Sequence, residues 1–412
     1  FGEMYMTLSL FPLLLVIILV IMGMLGEADQ NLLYGTIYAL IPLIGVAFLV
    51  LVSTVKQDEP GDGYLRPTHG SQRLQTSTDG GLAHVGLVEG FVGRFQVFDR
   101  IKRNERSYKL KGVLRAPHLF FRDRPLFTLA LTVPLTLVIV AGLLATGRAP
   151  LSTQAWIDRP VWSTFMWVYL PVYVVCIPLA VFYEWNVYSR TAVTGKLSQN
   201  LRKLSSANDT GQTLLDSINT VADTSSGKLA DEFEIMYAKV NYGVSLRDAF
   251  IEFNNKYHLP RLARTVKLIT EAQEASSEIT DVLRTAAQAS ENTDDIERER
   301  ISRTRMQVAI ILMTYLTLLG VMALLQTQFI DVMAGLTDQA ANGGSDAVDD
   351  GAEFGAGVDA SLLSLLFFHA VTIQAILAGL IAGYIRTAKL MSGVKFVVIL
   401  LTVALGVWVV VG

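Results

Sequence analysis

Only one cysteine occurs in 412 residues, Cys176, and it sits inside an apolar run. That excludes an intrachain disulfide and a cysteine-built metal site. Charge is scarce as well: Asp, Glu, Lys and Arg make up 17% of the chain against 51% hydrophobic residues, and the mean hydropathy is +0.42. Soluble chains carry about 25% charge. Catalytic signatures are missing too. The nearest imitation of a phosphate loop, Arg190-Thr191-Ala192-Val193-Thr194-Gly195-Lys196-Leu197, lacks the first glycine and the final hydroxyl. No zinc-protease, nucleophile-elbow or Cys–His pattern occurs, and His69, His84, His118, His258 and His369 are scattered. The reading is therefore of a chain that is not an enzyme and has no cofactor or metal. In an ATP-driven process the ATPase would be another chain.

What is abundant is apolar sequence in runs of about 20 residues, the length that crosses a bilayer core. Seven spans are predicted, at 8–25, 33–54, 126–147, 161–182, 306–330, 361–384 and 394–411. The loops alternate in charge. Segment 55–125 holds 13 Lys or Arg against 8 acids, and 184–305 holds 16 Lys or Arg. The turn at 385–395 adds Arg386, Lys389 and Lys395. On the other side, 26–32 and 331–360 have no basic residue, and 331–360 carries seven acids. Basic loops stay cytoplasmic, which puts 184–305 inside the cell and Gly412 outside. The chain begins at Phe1 with neither a basic region nor a cleavage site, so a preceding natural segment is expected.

Five regions follow: spans at 1–54, a basic cytoplasmic or interfacial loop at 55–125, spans at 126–183, a cytoplasmic helical domain at 184–305, and spans at 306–412. In the basic loop Phe91, Phe95, Val97 and Phe98 alternate with Arg94, Arg100, Lys102 and Arg103. This suits a helix lying on anionic lipid or packed on the cytoplasmic domain; nucleic acid is disfavoured. The acidic loop 331–360 is rich in Gly and Ala and reads as irregular. Within 184–305, Gly243 stops a helix, Ser245 caps the next with Asp248 three residues on, and breaks fall near Pro260 and Ser276. Ile235, Tyr237, Ala238 and Val240 are read as one packing face, with Glu232, Glu234 and Lys239 elsewhere. Few ionisable groups lie in the spans. His369, followed by Thr372 and Gln374, suits interhelical hydrogen bonding, and Gly379 and Gly383 have the small-xxx-small spacing that admits a close helix neighbour.

Residues 201–291 resemble the F domain of type II secretion and type IV pilus platform proteins. Asn208-Asp209-Thr210-Gly211 with Leu214 and Leu215, then Gly243-Val244-Ser245-Leu246 with Ala249 and Phe250, are similar to the two helical patterns of that domain. Glu274-Ala275-Ser276-Ser277-Glu278-Ile279 is similar to its acidic turn, with Ser277 in place of a glycine. Phe367-Phe368-His369-Ala370, Ile373-Gln374, Gly379-Leu380, Ala382-Gly383 and Ser392-Gly393-Val394-Lys395 resemble the archaeal TadC- and FlaJ-like branch, whose members have a further F domain before the first span. The resemblance implies an all-α polytopic membrane protein with about seven transmembrane helices and a cytoplasmic helical-bundle F domain. It implies a homo-oligomeric platform in the cell membrane, contacting lipids, a hexameric secretion ATPase and prepilin or archaellin-like subunits, with no nucleic acid. Candidate ATPase contacts are Lys228, Asp231, Glu232, Arg247, Asp248, Arg261, Arg264, Glu271 and Glu274. Candidates for helix packing or pilin contact are His369, Gln374, Gly379 and Gly383. A secondary transporter would show paired mid-membrane charges, and a receptor would show an external ligand domain; neither pattern appears.

Overall fold

The computed structural model describes residues 2–24, 30–55, 63–65, 117–150, 152–274, 279–342 and 360–411. Among these the chain is helical apart from short turns and the segment 63–65, with no strand, and seven helices are long and apolar enough to cross a membrane. The protein is an all-α, multi-pass membrane chain. Its helices form two compact units, one comprising Phe1–Asp58, Arg124–Glu184 and Arg300–Gly412, the other Glu59–Asp123 and Trp185–Glu299. The first is the apolar unit and the second the polar unit.

The apolar unit contains α1 (Gly2–Met24), α2 (Gln30–Gly35), α3 (Ile41–Val55), α5 (Thr128–Ala145), α6 (Thr153–Asp158) and α7 (Pro160–Thr164). It also holds most of α8 (Leu170–Thr194), the apolar part of α14 (Ile279–Asn342), α15 (Ala360–Thr387) and α16 (Val394–Val411). Single π-helical turns precede α3 and α8, at Thr36–Leu40 and Phe165–Tyr169. α15 is the central helix. Its apolar window is 78% buried, against 17% to 39% for the other six. Phe367, Phe368, Val371, Ala375, Ala378 and Ile381 form the middle of the core, with Trp408 of α16 stacked 5.3 Å from Phe368. The outer helices do the opposite. Leu43, Leu131, Leu137, Val138 and Val181 stay exposed, as hydrocarbon-facing side chains should. On α5 the buried stripe is Thr128, Thr132 and Thr136, each hydroxyl folded back onto the carbonyl three or four residues earlier. Those hydroxyls present no unsatisfied donor to an apolar surrounding.

The helix α14 corrects the expectation for the acidic loop. It continues through Asn342, so 331–342 is helical rather than irregular. The physical reason is local: Val332 to Ala341 contains only Gly335 as a breaker, and the Gly343-Gly344 pair comes after the helix ends. Residues 343–359 lie outside the described residues, as does the aromatic and basic stretch 91–103.

The polar unit contains α4 (Pro117–Asp123), the end of α8, α9 (Leu197–Asp209), α10 (Leu214–Thr224), α11 (Lys228–Asn241), α12 (Leu246–Tyr257), α13 (Pro260–Glu274) and the start of α14. One spacing builds its core. Leu197, Leu201 and Leu204, then Leu214, Ile218 and Val221, then Leu229, Phe233 and Met236, then Leu262, Val266 and Ile269 all follow i, i+4, i+7. That spacing puts each trio on one helical face. It also corrects the sequence reading of α11. Ile235 and Ala238 are exposed, whereas Leu229, Ala230, Glu232, Phe233 and Met236 are buried.

Two helix starts repeat. Gly211 (φ +88°) and Gly243 (φ +92°) each take the left-handed backbone region, open to glycine without strain. Two residues later Thr213 and Ser245 act as N-caps, accepting from the amides of Asp216 and Asp248 at 3.2 and 3.1 Å. The same hydroxyls donate to those carboxylates at 2.6 Å. The break at 258–260 also holds: His258 is left-handed (φ +52°), and Pro260 opens α13. A short extended segment, Gly63 to Leu65, is clamped to α12. Asn255 Nδ2 donates to Leu65 O at 2.7 Å while its Oδ1 accepts from Leu65 N at 2.9 Å, and Asn254 Nδ2 donates to Gly63 O at 2.8 Å.

Candidate functional site

In the polar unit, α11 and α12 lie side by side because Leu229, Phe233 and Met236 on one meet Phe250, Phe253 and Tyr257 on the other. Between them opens a cleft of about 320 Å³, lined by Glu232, Ile235, Met236, Lys239, Glu252, Phe253 and Lys256 among others. Two ion pairs bridge it: Lys239 Nζ to Glu252 Oε1 at 2.9 Å, and Lys256 Nζ to Glu232 Oε1 at 2.6 Å. The floor is apolar and the rim carries both signs of charge, a surface suited to an amphipathic helix of a partner.

Glu232 is only 7% exposed. Its Oε1 also accepts from the Tyr257 hydroxyl at 2.6 Å. Burial, then the bond to Glu232, holds the Tyr257 phenol well above the ordinary tyrosine range. Arg261 is likewise enclosed. It pairs with Asp294 at 2.6 Å and donates to the carbonyl and hydroxyl of Ser290, and Ser198 donates to the same Asp294 carboxylate at 2.7 Å. Each side chain is more than 80% buried and ion-paired within the unit, as a charge at a helix interface must be, although the Arg261 Nε has no hydrogen-bond partner among the described residues.

The remaining candidates divide in two. Arg247 is ion-paired with Glu274, Asp248 is bonded through its amide and carboxylate to Ser245, the cap of α12, and Lys228 donates to Ser189 Oγ. Asp231, Arg264 and Glu271 are exposed, the last 3.8 Å from Lys267 on the same helix. The structure thus does not gather the nine charges into one patch. It brings Glu232 into one cleft with Lys239, Glu252 and Lys256, three residues outside the nine candidates. The available signal was Glu252 and Lys256 at i, i+4 on the helix that follows.

In the apolar unit the four candidates of α15 all meet the same chain. His369 shares hydrogen bonds with Thr164 Oγ1 at 3.0 Å and with the Tyr38 hydroxyl, and its ring meets the edge of Trp156 at 5.9 Å. Gln374 Nε2 donates to Tyr5 OH at 3.1 Å. A Cβ at Gly379 would lie 2.5 Å from Val397 N, and one at Gly383 would lie 2.1 Å from Gly393 Cα. The glycines seat α16 and the turn before it against α15. Nearby, Trp156 and Trp167 both donate to the Pro150 carbonyl, at 3.2 and 3.0 Å.

Comparison with the curated proteins and with the solved structures gives no match. Comparison with protein families gives one: residues 201–326 match the family described as type II secretion system (T2SS), protein F. The match begins in α9, takes in α10 to α13 with the two capped repeats and the α11–α12 cleft, and ends within the apolar part of α14. Residues 201–326 are thus similar to protein F of the type II secretion system, a likeness that covers most of the polar unit and the first apolar turns of α14.

Proposed function

We propose that this chain is the inner platform of an archaeal type IV pilus-like filament machine, with the polar unit in the cytoplasm. A general secretion or pilus platform role rests on one observation, the protein F match across 201–326. The rest extends it. The platform performs no reaction of its own. A hexameric ATPase engages the polar unit and drives it, and the membrane helices pass prepilin-like subunits into the filament base. The α11–α12 cleft, with its apolar floor and paired rim charges, supports a specific, salt-sensitive contact. Asp231, Arg264 and Glu271 supply exposed charge for the same docking. The nearest second reading, supported by the same C-terminal residues, is an archaellum platform.

The test is co-purification of the full chain in detergent with a hexameric secretion ATPase from the same cells. Asp231→Lys with Arg264→Glu should weaken capture about tenfold, the loss that ~1.4 kcal/mol brings. The melting temperature should stay unchanged, because both side chains are exposed. Wild-type capture by the double variant and by Ile235→Asp in the cleft would refute docking on this unit.

A further inference from the structure

Near the start of α11 the polar unit gathers cations from three stretches of chain. Arg122 lies at the end of α4, Lys228 opens α11, and Lys256 lies near the end of α12. Two are neutralised: Arg122 by Asp123 at 2.9 Å and Lys256 by Glu232 at 2.6 Å. Lys228 is not. Its ammonium donates to Ser189 Oγ and stands 5.2 Å from the centre of the Tyr257 ring. Among the described residues no carboxylate pairs with it. Partial burial, then the charge of Arg122, lowers its pKa below the ordinary lysine value, against the opposing pull of Glu232. A half-enclosed cation whose partners are a hydroxyl and an aromatic face is a site that an anion would complete.

The sequence around it indicates which anion. Arg122 comes three residues before Pro125, where an apolar span begins, and Trp185 directly follows Glu184, the last residue of α8 that belongs to the apolar unit. The Arg122 guanidinium stands 5.8 Å from the Trp185 ring, and His118 stacks on that ring at 6.1 Å. Trp and Arg immediately beside a span settle at headgroup depth. Ser189, which accepts from Lys228, is one turn beyond Trp185 on α8, about 6 Å along the helix axis. We propose that Lys228, Ser189 and Arg122 bind the phosphate of an anionic membrane lipid, with Trp185 beside its glycerol backbone. Lys228 and Arg122 donate to phosphate oxygens, and the Ser189 hydroxyl, released from Lys228, donates to another. Lys228 thereby serves the membrane rather than a protein partner, whatever that partner is.

The test uses the full chain in lipid nanodiscs of phosphatidylcholine, with or without phosphatidylglycerol. Lysines are acylated with an amine-reactive ester and quantified by mass spectrometry, with Lys239 and Lys267 as internal standards. Phosphatidylglycerol should slow acylation of Lys228 about tenfold relative to them, the change expected when its pKa rises by about one unit. Arg122→Gln should remove most of that protection. Equal acylation in both lipids would overturn the site, and undiminished protection in Arg122→Gln would overturn its composition. Full protection by inorganic phosphate in phosphatidylcholine alone would overturn the lipid assignment in favour of a soluble phosphate.

Discussion

Removing the Glu232 carboxylate strands two donors at once, the Lys256 ammonium and the Tyr257 hydroxyl. Glu232→Ala should cost about 2 kcal/mol, since a buried donor left unmade loses its full desolvation penalty. Tyr257→Phe, which removes a donor and leaves the Lys256 pair, should cost about 1 kcal/mol. Melting of the detergent-solubilised chain by circular dichroism measures both. The same bond sets a pH dependence. The folded phenol holds its proton above the ordinary tyrosine pKa of about 10, so the fold binds more protons than the unfolded chain in alkali. Its stabilisation is complete below about pH 10 and is lost as pH rises beyond that, and Tyr257→Phe should flatten the fall. Residue type alone did not reveal this. Glu232 finds its partners 24 and 25 residues away on the next helix, and nothing within one turn of it announces the pairing.

At the scale of elements, two glycines of the membrane helices behave in opposite ways. A Cβ at Gly383 would meet Gly393 Cα at 2.1 Å, a backbone atom that cannot rotate aside. Gly383→Ala should therefore push the turn before α16 off α15 and cost about 3 kcal/mol, as overpacking does. A Cβ at Gly320 in α14 meets nothing within 4 Å, so Gly320→Ala should be neutral or stabilise by up to about 1 kcal/mol. Thermal melts of both variants in one detergent provide the comparison. Small-xxx-small spacing made the Gly379–Gly383 contact legible, though not which helix would fill it. Caps were legible for the same reason: Gly243, Ser245 and Asp248 act within six residues of one another. The packing face of α11 was not, because Ile235 and Ala238 are as apolar as Leu229 and Met236. Only the neighbours on α12 decide which set is covered. The end of α14 was misplaced because acidic composition suggests a loop while the run up to Asn342 lacks the breakers that would make one.

For the molecule as a whole, the proposed orientation has a direct readout. Cys176 sits within an apolar span and is half-buried, so a membrane-impermeant maleimide should leave it unmodified in intact cells. With that background silent, Asp231→Cys on the exposed side of α11 should react only in inverted vesicles. Reaction in intact cells would place the polar unit outside and end the platform reading. The seven apolar helices were legible because hydrocarbon imposes its length on every span. The α11–α12 cleft was not, since it arises from the pairing of helices whose order in sequence does not specify which faces meet.

The contact of Gly383 with Gly393 leaves no slack between the last two membrane helices. Backbone rests on backbone there, and neither partner has a side chain to rearrange. α15 and α16 therefore travel as one rigid wedge, and sliding or twisting within the apolar unit must be taken up at seams padded by side chains instead.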